Sequence, residues 1–220
     1  MSSNFYPFFC TYSIVAKQYS ASGVQSDQAG YKKPKEEEKP MNNHVCPASH
    51  AGFLSTSLRR LIQKPEKILD RLVTSGQTAA DIGCGPGFFT VPLAKLVGKN
   101  GTVIAADLQA EMLEKLRAKV KRKNITNTIK YHLCEPERIG ITEKLDFILA
   151  FYMVHEVPSP DAFFQESRSM VNSGGRLLYV EPKFHVSRRE FQAMVELAET
   201  AGWRPESYPK ILLSRAVLLR

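Results

Sequence analysis

From residue 78 onward the chain alternates short, almost uninterrupted apolar runs with longer segments of helical periodicity, and this alternation limits the folds open to it. Residues 78–82, 102–106, 128–133, 145–151 and 175–180 read as strands, rich in Val, Ile and Leu. Residues 86–97, 110–123 and 161–171 read as helices, with Leu113, Leu116 and Val120 sharing one face of the second. A helix over 187–200 closes the series, and Ser187 and Glu190 have the spacing of a capping box. Strands that are apolar on both faces belong to a parallel sheet covered by helices on both sides. The pattern therefore predicts a doubly wound α/β fold. Only the end departs from it: residues 203–208 and 212–219 read as consecutive strands, a hairpin at one sheet edge.

Upstream of the sheet the character changes. Residues 1–40 are rich in Ser, Tyr and Gln, lack apolar periodicity and end in the charge run Lys32-Lys33-Pro34-Lys35-Glu36-Glu37-Glu38-Lys39-Pro40, so they read as a disordered extension. The expected domain is 41–220, divided into a helical lid over 41–75 and a sheet core over 76–220. Within the lid, Leu58, Leu61 and Ile62, then Ile68, Leu69, Leu72 and Val73 after Pro65, predict two short helices.

Composition narrows the function. With 43% hydrophobic residues, 220 residues suffice for one sizeable core, and the charge-free stretches are broken by Pro and Ser, so none approaches the roughly 18 apolar residues of a membrane span. Lys and Arg number 30 against 22 Asp and Glu, a net charge of +8, but they are dispersed and read as a solvated basic surface. Cys10, Cys46, Cys84 and Cys134 are far apart with no CxxC pair, and Cys46 and His50 lack a second pair to complete four ligands. Reduced thiols, no metal and a cytoplasmic location are expected.

The chemistry concentrates in Asp81-Ile82-Gly83-Cys84-Gly85-Pro86-Gly87, where the first strand meets the first helix. Glycines there permit positive φ and let a ligand reach the backbone without meeting a Cβ. In an open parallel sheet such a turn lies at the carboxyl edge, near the reversal of strand order where ligands bind. A dinucleotide fingerprint wants glycine at position 88, which is Phe88, and a phosphate-binding loop wants Gly-Lys-Ser/Thr, which is absent.

Read as D-x-G-C-G-x-G, Asp81 to Gly87 resembles the first motif of class I S-adenosylmethionine (SAM) dependent methyltransferases, and the likeness extends over residues 57–220. It is similar in particular to the small-molecule branch that includes the ubiquinone and menaquinone biosynthesis enzymes. The resemblance implies a Rossmann-like, mostly parallel seven-stranded sheet of order 3-2-1-4-5-7-6 and SAM as cofactor. It assigns the cofactor to Asp81, Gly83, Cys84, Gly85 and Gly87, with Asp81 taking the methionyl amino group and the glycine backbone the amino-acid portion. Asp107, ending the second strand, would accept from both ribose hydroxyls, as an ionised carboxylate can. Leu108 would pack on adenine, Cys134 or Glu135 would receive the adenine amino group, and Phe151 would wall the site.

The resemblance also places Tyr152, His155 and Glu156 beneath the transferred methyl group as candidate catalytic residues, His155 being the natural base near neutral pH. The fourth strand runs into Ala150-Phe151-Tyr152-Met153, unlike the Asn/Asp-Pro-Pro-Tyr/Phe of enzymes that methylate nucleic-acid amino groups, and no Pro-Cys nucleophile occurs. A small organic acceptor is favoured. The alternatives are an RNA methyltransferase, for which the charge and Lys119-Val120-Lys121-Arg122-Lys123 speak, and a SAM-binding protein without catalysis.

Overall fold

The computed structural model describes residues 63–220 apart from Asn124, Thr126 and Asn127. The expected extension over 1–40, the first lid helix, Cys46 and His50 lie outside the described residues. Seven strands form one sheet: β1 (Thr78–Ile82), β2 (Thr102–Asp107), β3 (Ile129–Leu133), β4 (Leu145–Phe151), β5 (Val171–Pro182), β6 (Pro205–Ser207) and β7 (Ser214–Leu219). Their order is β3-β2-β1-β4-β5-β7-β6, with β7 antiparallel to both neighbours and the other pairings parallel. The order expected from the resemblance is the order observed.

The period-two alternation of each strand sends its residues to two separate cores. Ala79, Val103, Ala105, Phe147, Leu149, Leu178 and Val180 meet α1 (Pro65–Leu69), α2 (Thr90–Val97) and α3 (Ala110–Lys123) on one face. Ala80, Ile104, Ala106, Ile148, Leu177 and Tyr179 meet α4 (Pro160–Met170) and α5 (Arg188–Thr200) on the other. Both faces are therefore dry, which is why these strands lack polar alternation. The capping box at Ser187 and Glu190 forms as its spacing predicts, each side chain accepting from the other's backbone N–H.

The departures from expectation have local causes. The helix expected over 86–97 begins only at Thr90, because Gly85 and Gly87 take φ of +50° and +76° and hold residues 85–89 in turns. The helix after Pro65 stops at Leu69, where Asp70 turns to extended ψ and Arg71 takes φ +61°. Val171, expected to end a helix, begins β5, which pairs with Leu145 before a register shift over 172–175. The terminal strands are shorter than expected. Trp203 leaves the hairpin to bury its ring, its Nε1–H donating to the Phe164 carbonyl at 3.1 Å.

The parallel register aligns the carboxyl ends of β1, β2, β4 and β5 along one edge, and the order reverses between β1 and β4. Residues 83–89, 107–109 and 152–156 all emerge there.

Candidate functional site

The glycine loop and the end of β2 meet directly. The Gly85 N–H donates to Asp107 Oδ2 at 2.8 Å, and Gln109 N–H donates to Oδ1 at 2.9 Å. Gly83 and Cys84 continue the sheet ladder, both donating to the Ala106 carbonyl. The glycines differ in what they protect. A Cβ on Gly83 would sit 2.9 Å from Met153 Cβ, and one on Gly87 would sit 2.2 Å from Leu116 Cδ1, so both are packing requirements. A Cβ on Gly85 would meet no protein atom within 4 Å, although its φ is also positive. The space over Gly85, one hydrogen bond away from the Asp107 carboxylate, is open, so a ligand there would meet bare backbone.

Asp107 is nearly buried, and burial raises its pKa despite the N–H groups of Gln109, Gly85 and Leu108 that favour the carboxylate. A buried carboxylate with unused lone pairs is favourable ground for a vicinal diol, whose hydroxyls add donors that water no longer supplies. Asp81, also buried, accepts from the Thr90 hydroxyl at 2.6 Å, tying the start of α2 to β1. Leu108 is half-buried beside the loop.

The two thiols of this region are held neutral. Burial raises Cys84, helped by the charges of Asp81 and Asp107, and burial pushes Cys134 up to about 12. Neither is a nucleophile near neutral pH. Cys134 N–H donates to the Asp107 carbonyl at 2.9 Å, which keeps it at the same edge. Glu135 is exposed, with its backbone paired to Arg138.

Lys119 belongs to the basic run that reads as a solvated face. Its ammonium instead reaches from α3 to the carbonyls of Pro86 and Gly87, at 3.1 and 2.9 Å. A donor with three N–H groups thus fixes a loop that has few side chains to fix itself. Lys119→Met is expected to weaken S-adenosylhomocysteine (SAH) binding about three- to tenfold while changing unfolding free energy by about 1 kcal/mol, measured by titration calorimetry and urea denaturation.

At the end of β4 an aromatic ladder runs from Phe88 through Phe89 and Phe151 to Tyr152, with successive centroids 5.1, 4.3 and 4.4 Å apart. Phe151 is buried within it and supports Tyr152. Tyr152 takes φ +63°, a conformation uncommon for a bulky residue and frequent at functional sites. Its hydroxyl is shared between Gln63 Nε2 and Ser214 Oγ, each at 2.5 Å. It therefore joins the approach to α1, the end of β4 and the start of β7.

His155 lies in the 3-10 turn Val154–Glu156 that follows. Its Nδ1 is 2.6 Å from Glu181 Oε2, and its backbone N–H donates to Glu181 Oε1 at 3.1 Å. Glu181, near the end of β5, has no exposed surface. A carboxylate only accepts, so the neutral imidazole carries its proton on Nδ1 and keeps the lone pair on Nε2. Burial would lower the His155 pKa, but the hydrogen bond and charge of Glu181, with Glu156, outweigh it and raise the value. Glu156, 3.8 Å from Nε2, is itself raised by burial. The His185 ring stacks at 6.0 Å and 11°, and burial and the His155 charge lower its pKa.

The structure thus brings Asp81, Gly83, Gly85, Asp107, Tyr152, His155 and Glu156 to one edge. It adds Thr90, Lys119, Gln63, Ser214 and Glu181, which sequence reasoning missed. Lys119 showed there only as part of a basic run, and Glu181 as a carboxylate ending the apolar run Leu177-Leu178-Tyr179-Val180.

Residues 79–175 match a family model described as a methyltransferase domain. The chain is 27% identical over 167 residues to the aklanonic acid methyltransferase DauC of Streptomyces sp. (strain C5), covering 70% of this chain and 72% of that protein. It is 28% identical over 120 residues to the ubiquinone/menaquinone biosynthesis C-methyltransferase UbiE of Shewanella frigidimarina, covering 53% of this chain. The match spans 48% of that relative's length. The solved SAM-dependent methyltransferase from Aquifex aeolicus has the same fold, with a TM-score of 0.71 and 24% identity over 79% of this chain and 97% of that one.

Proposed function

We propose that this chain, whose residues 79–175 match a methyltransferase domain, is a class I SAM-dependent methyltransferase that transfers a methyl group to a small organic acceptor at the carboxyl edge of its sheet. The observation that carries the reading is the Asp107 carboxylate at 2.8 Å from Gly85 N–H, next to the open space over Gly85. Asp107 accepts from the ribose hydroxyls, the backbone of Gly83 and Gly85 holds the amino-acid portion, and Asp81, anchored by Thr90, fixes the loop's root. Gly87 and Cys84 shape the loop, Leu108 and Phe151 border it, and Cys134 and Glu135 flank the adenine end.

The bound sulfonium supplies an electrophilic methyl group. His155 receives the acceptor's proton on Nε2, while Glu181 holds the tautomer and stabilises the imidazolium that results. Tyr152, with its hydroxyl committed to Gln63 and Ser214, walls the site, and Glu156 flanks Nε2. Holding acceptor and methyl donor in line supplies most of the acceleration, on the order of 7–11 kcal/mol, with the base adding about 10²–10⁴-fold. DauC and UbiE, named for small-molecule acceptors, support an organic acceptor over a nucleic acid. Among the described residues no helix is long and apolar enough to cross a membrane.

Calorimetric titration of the full chain with SAH tests the cofactor site. Asp107→Ala is expected to weaken binding about 10- to 100-fold, the loss of hydrogen bonds to a charged acceptor. Folded wild-type protein that binds neither SAM nor SAH would overturn the reading. Transfer of isotopic methyl from SAM into a metabolite extract identifies the acceptor.

A further inference from the structure

A second concavity opens on the same edge of the sheet. β6 runs parallel to β5, because β7 is antiparallel to both, so the loop over 208–213 leaves β6 on the side where residues 83–89 and 152–156 emerge. Between this loop and α1 lies a cavity of about 280 Å³, lined by Lys64, Lys67, Ile68, Lys210, Ile211, Leu212 and Pro209. Among the described residues its lining is one-sided: three lysines, four apolar residues and no carboxylate.

Lys64, Lys67 and Ile68 are three and four residues apart, so the start of α1 turns them to one side. None of the three lysines forms an ion pair among the described residues. Ile211 is buried in the core and gives the cavity an anchored floor, whereas Leu212 is 62% exposed. Like charges gathered over an apolar floor repel one another, and an anion with an apolar body relieves both the repulsion and the exposure. The volume is slightly below the roughly 300–1,000 Å³ of sites that enclose a whole drug-sized ligand, so it suits one part of a molecule.

That part is connected to the chemistry. Ser214 N–H donates to the Ile211 carbonyl at 3.1 Å, and Ser214 Oγ donates to the Leu212 carbonyl at 3.2 Å. The same Ser214 Oγ meets the Tyr152 hydroxyl, which Gln63, next to Lys64, also holds. The cavity floor and the wall of the transfer site are thus one hydrogen-bonded unit.

We propose that this cavity is the acceptor subsite for an amphipathic carboxylate: the acid group pairs with Lys64, Lys67 and Lys210, and the apolar body lies on Ile68, Ile211 and Pro209. The proposal rests on the methyl-transfer reading for its link to the acceptor. Its test does not require turnover.

Full-length protein saturated with SAH is titrated with octanoate and with 1-octanol, and binding is located by methyl NMR shifts at Ile68 and Ile211. Octanoate is expected to bind about tenfold more tightly than 1-octanol, and a Lys64→Gln, Lys67→Gln, Lys210→Gln variant is expected to lose that preference while binding SAH as before. These lysines are exposed, so the variant keeps its core. Equal affinity for octanoate and 1-octanol, unchanged octanoate binding in the variant, or no octanoate binding by SAH-loaded protein would each overturn the subsite. Failure of SAH itself to bind would instead strike the methyl-transfer reading.

Discussion

Replacing Gly87 by alanine is expected to lower unfolding free energy by about 2–5 kcal/mol and to abolish measurable SAH binding. Two costs add. A φ of +76° disfavours any L side chain by about 1–2 kcal/mol, and the new methyl would sit 2.2 Å from Leu116 Cδ1. Leu116 has no exposed surface and packs within the core between α3 and the sheet, so any shift of its side chain disturbs packed neighbours. Overpacking of this kind costs about 1–3 kcal/mol. Gly85→Ala is the matched control, with a positive φ but no clash, and is expected to cost about 1–2 kcal/mol in stability. SAH binding falls in that variant too, because the methyl group enters the ligand's space. Urea denaturation and calorimetry separate the pair. Equal stability loss in both variants would refute the distinction between a packing glycine and a ligand-facing one.

The second large effect is expected at Glu181. Glu181→Gln keeps the size of the side chain but removes the charge that raises the His155 pKa and fixes its tautomer. Methyl transfer is expected to fall about 10²–10⁴-fold, the range a positioned base contributes, while SAH affinity stays within about threefold. The pH profile carries the sign. His155 acts as a base only when Nε2 is unprotonated, so with its pKa raised the wild-type rate climbs at a pH above the ordinary imidazole value. In Glu181→Gln the climb moves to lower pH, leaving a weaker base. Stability follows the same linkage: the pair stabilises the fold fully below the ordinary imidazole pKa, and this contribution is lost as pH rises through the raised value. The groups around the ring are Glu181 from β5, Glu156 from its own turn and His185 from the loop after β5, with Tyr179 of β5 acting on Glu181. The Nδ1 and Nε2 resonances of His155, followed against pH, check the assignment without an acceptor. An unmoved titration in Glu181→Gln would refute it.

The sheet and the glycine loop were legible in the sequence because their signals are local. Buried parallel strands must be apolar on both faces, and Gly83, Gly85 and Gly87 are demanded by a turn whose spacing is visible in seven residues. The hydrogen bond from Gly85 to Asp107 is a finding of the structure, made possible by the adjacency of β1 and β2. What stayed hidden depends on partners far apart in the chain. Gln63 and Tyr152 are 89 residues apart, Tyr152 and Ser214 are 62, and His155 and Glu181 are 26. No periodicity encodes such meetings. Lys119 sat in a run of like charges, where one residue turned inward resembles its solvated neighbours. The start of α2 differs from expectation for another reason: Pro86 suits a first helical turn, but Gly87 takes a positive φ that postpones it, and the space a Cβ would need there is filled by Leu116 of another helix.

The placement of β7 has a consequence for how these molecules behave in a crowd. Because β7 lies inside the sheet, the border it would have formed passes to β6, three residues long, led by a proline that has no N–H and followed by Glu206. The opposite border, β3, carries Lys130, paired with Glu143, and Tyr131 beneath the Arg117 guanidinium at 4.2 Å. Each margin is thus brief or guarded by charge, and neither offers a long, flat template on which a stray strand from another copy can add itself and seed aggregation.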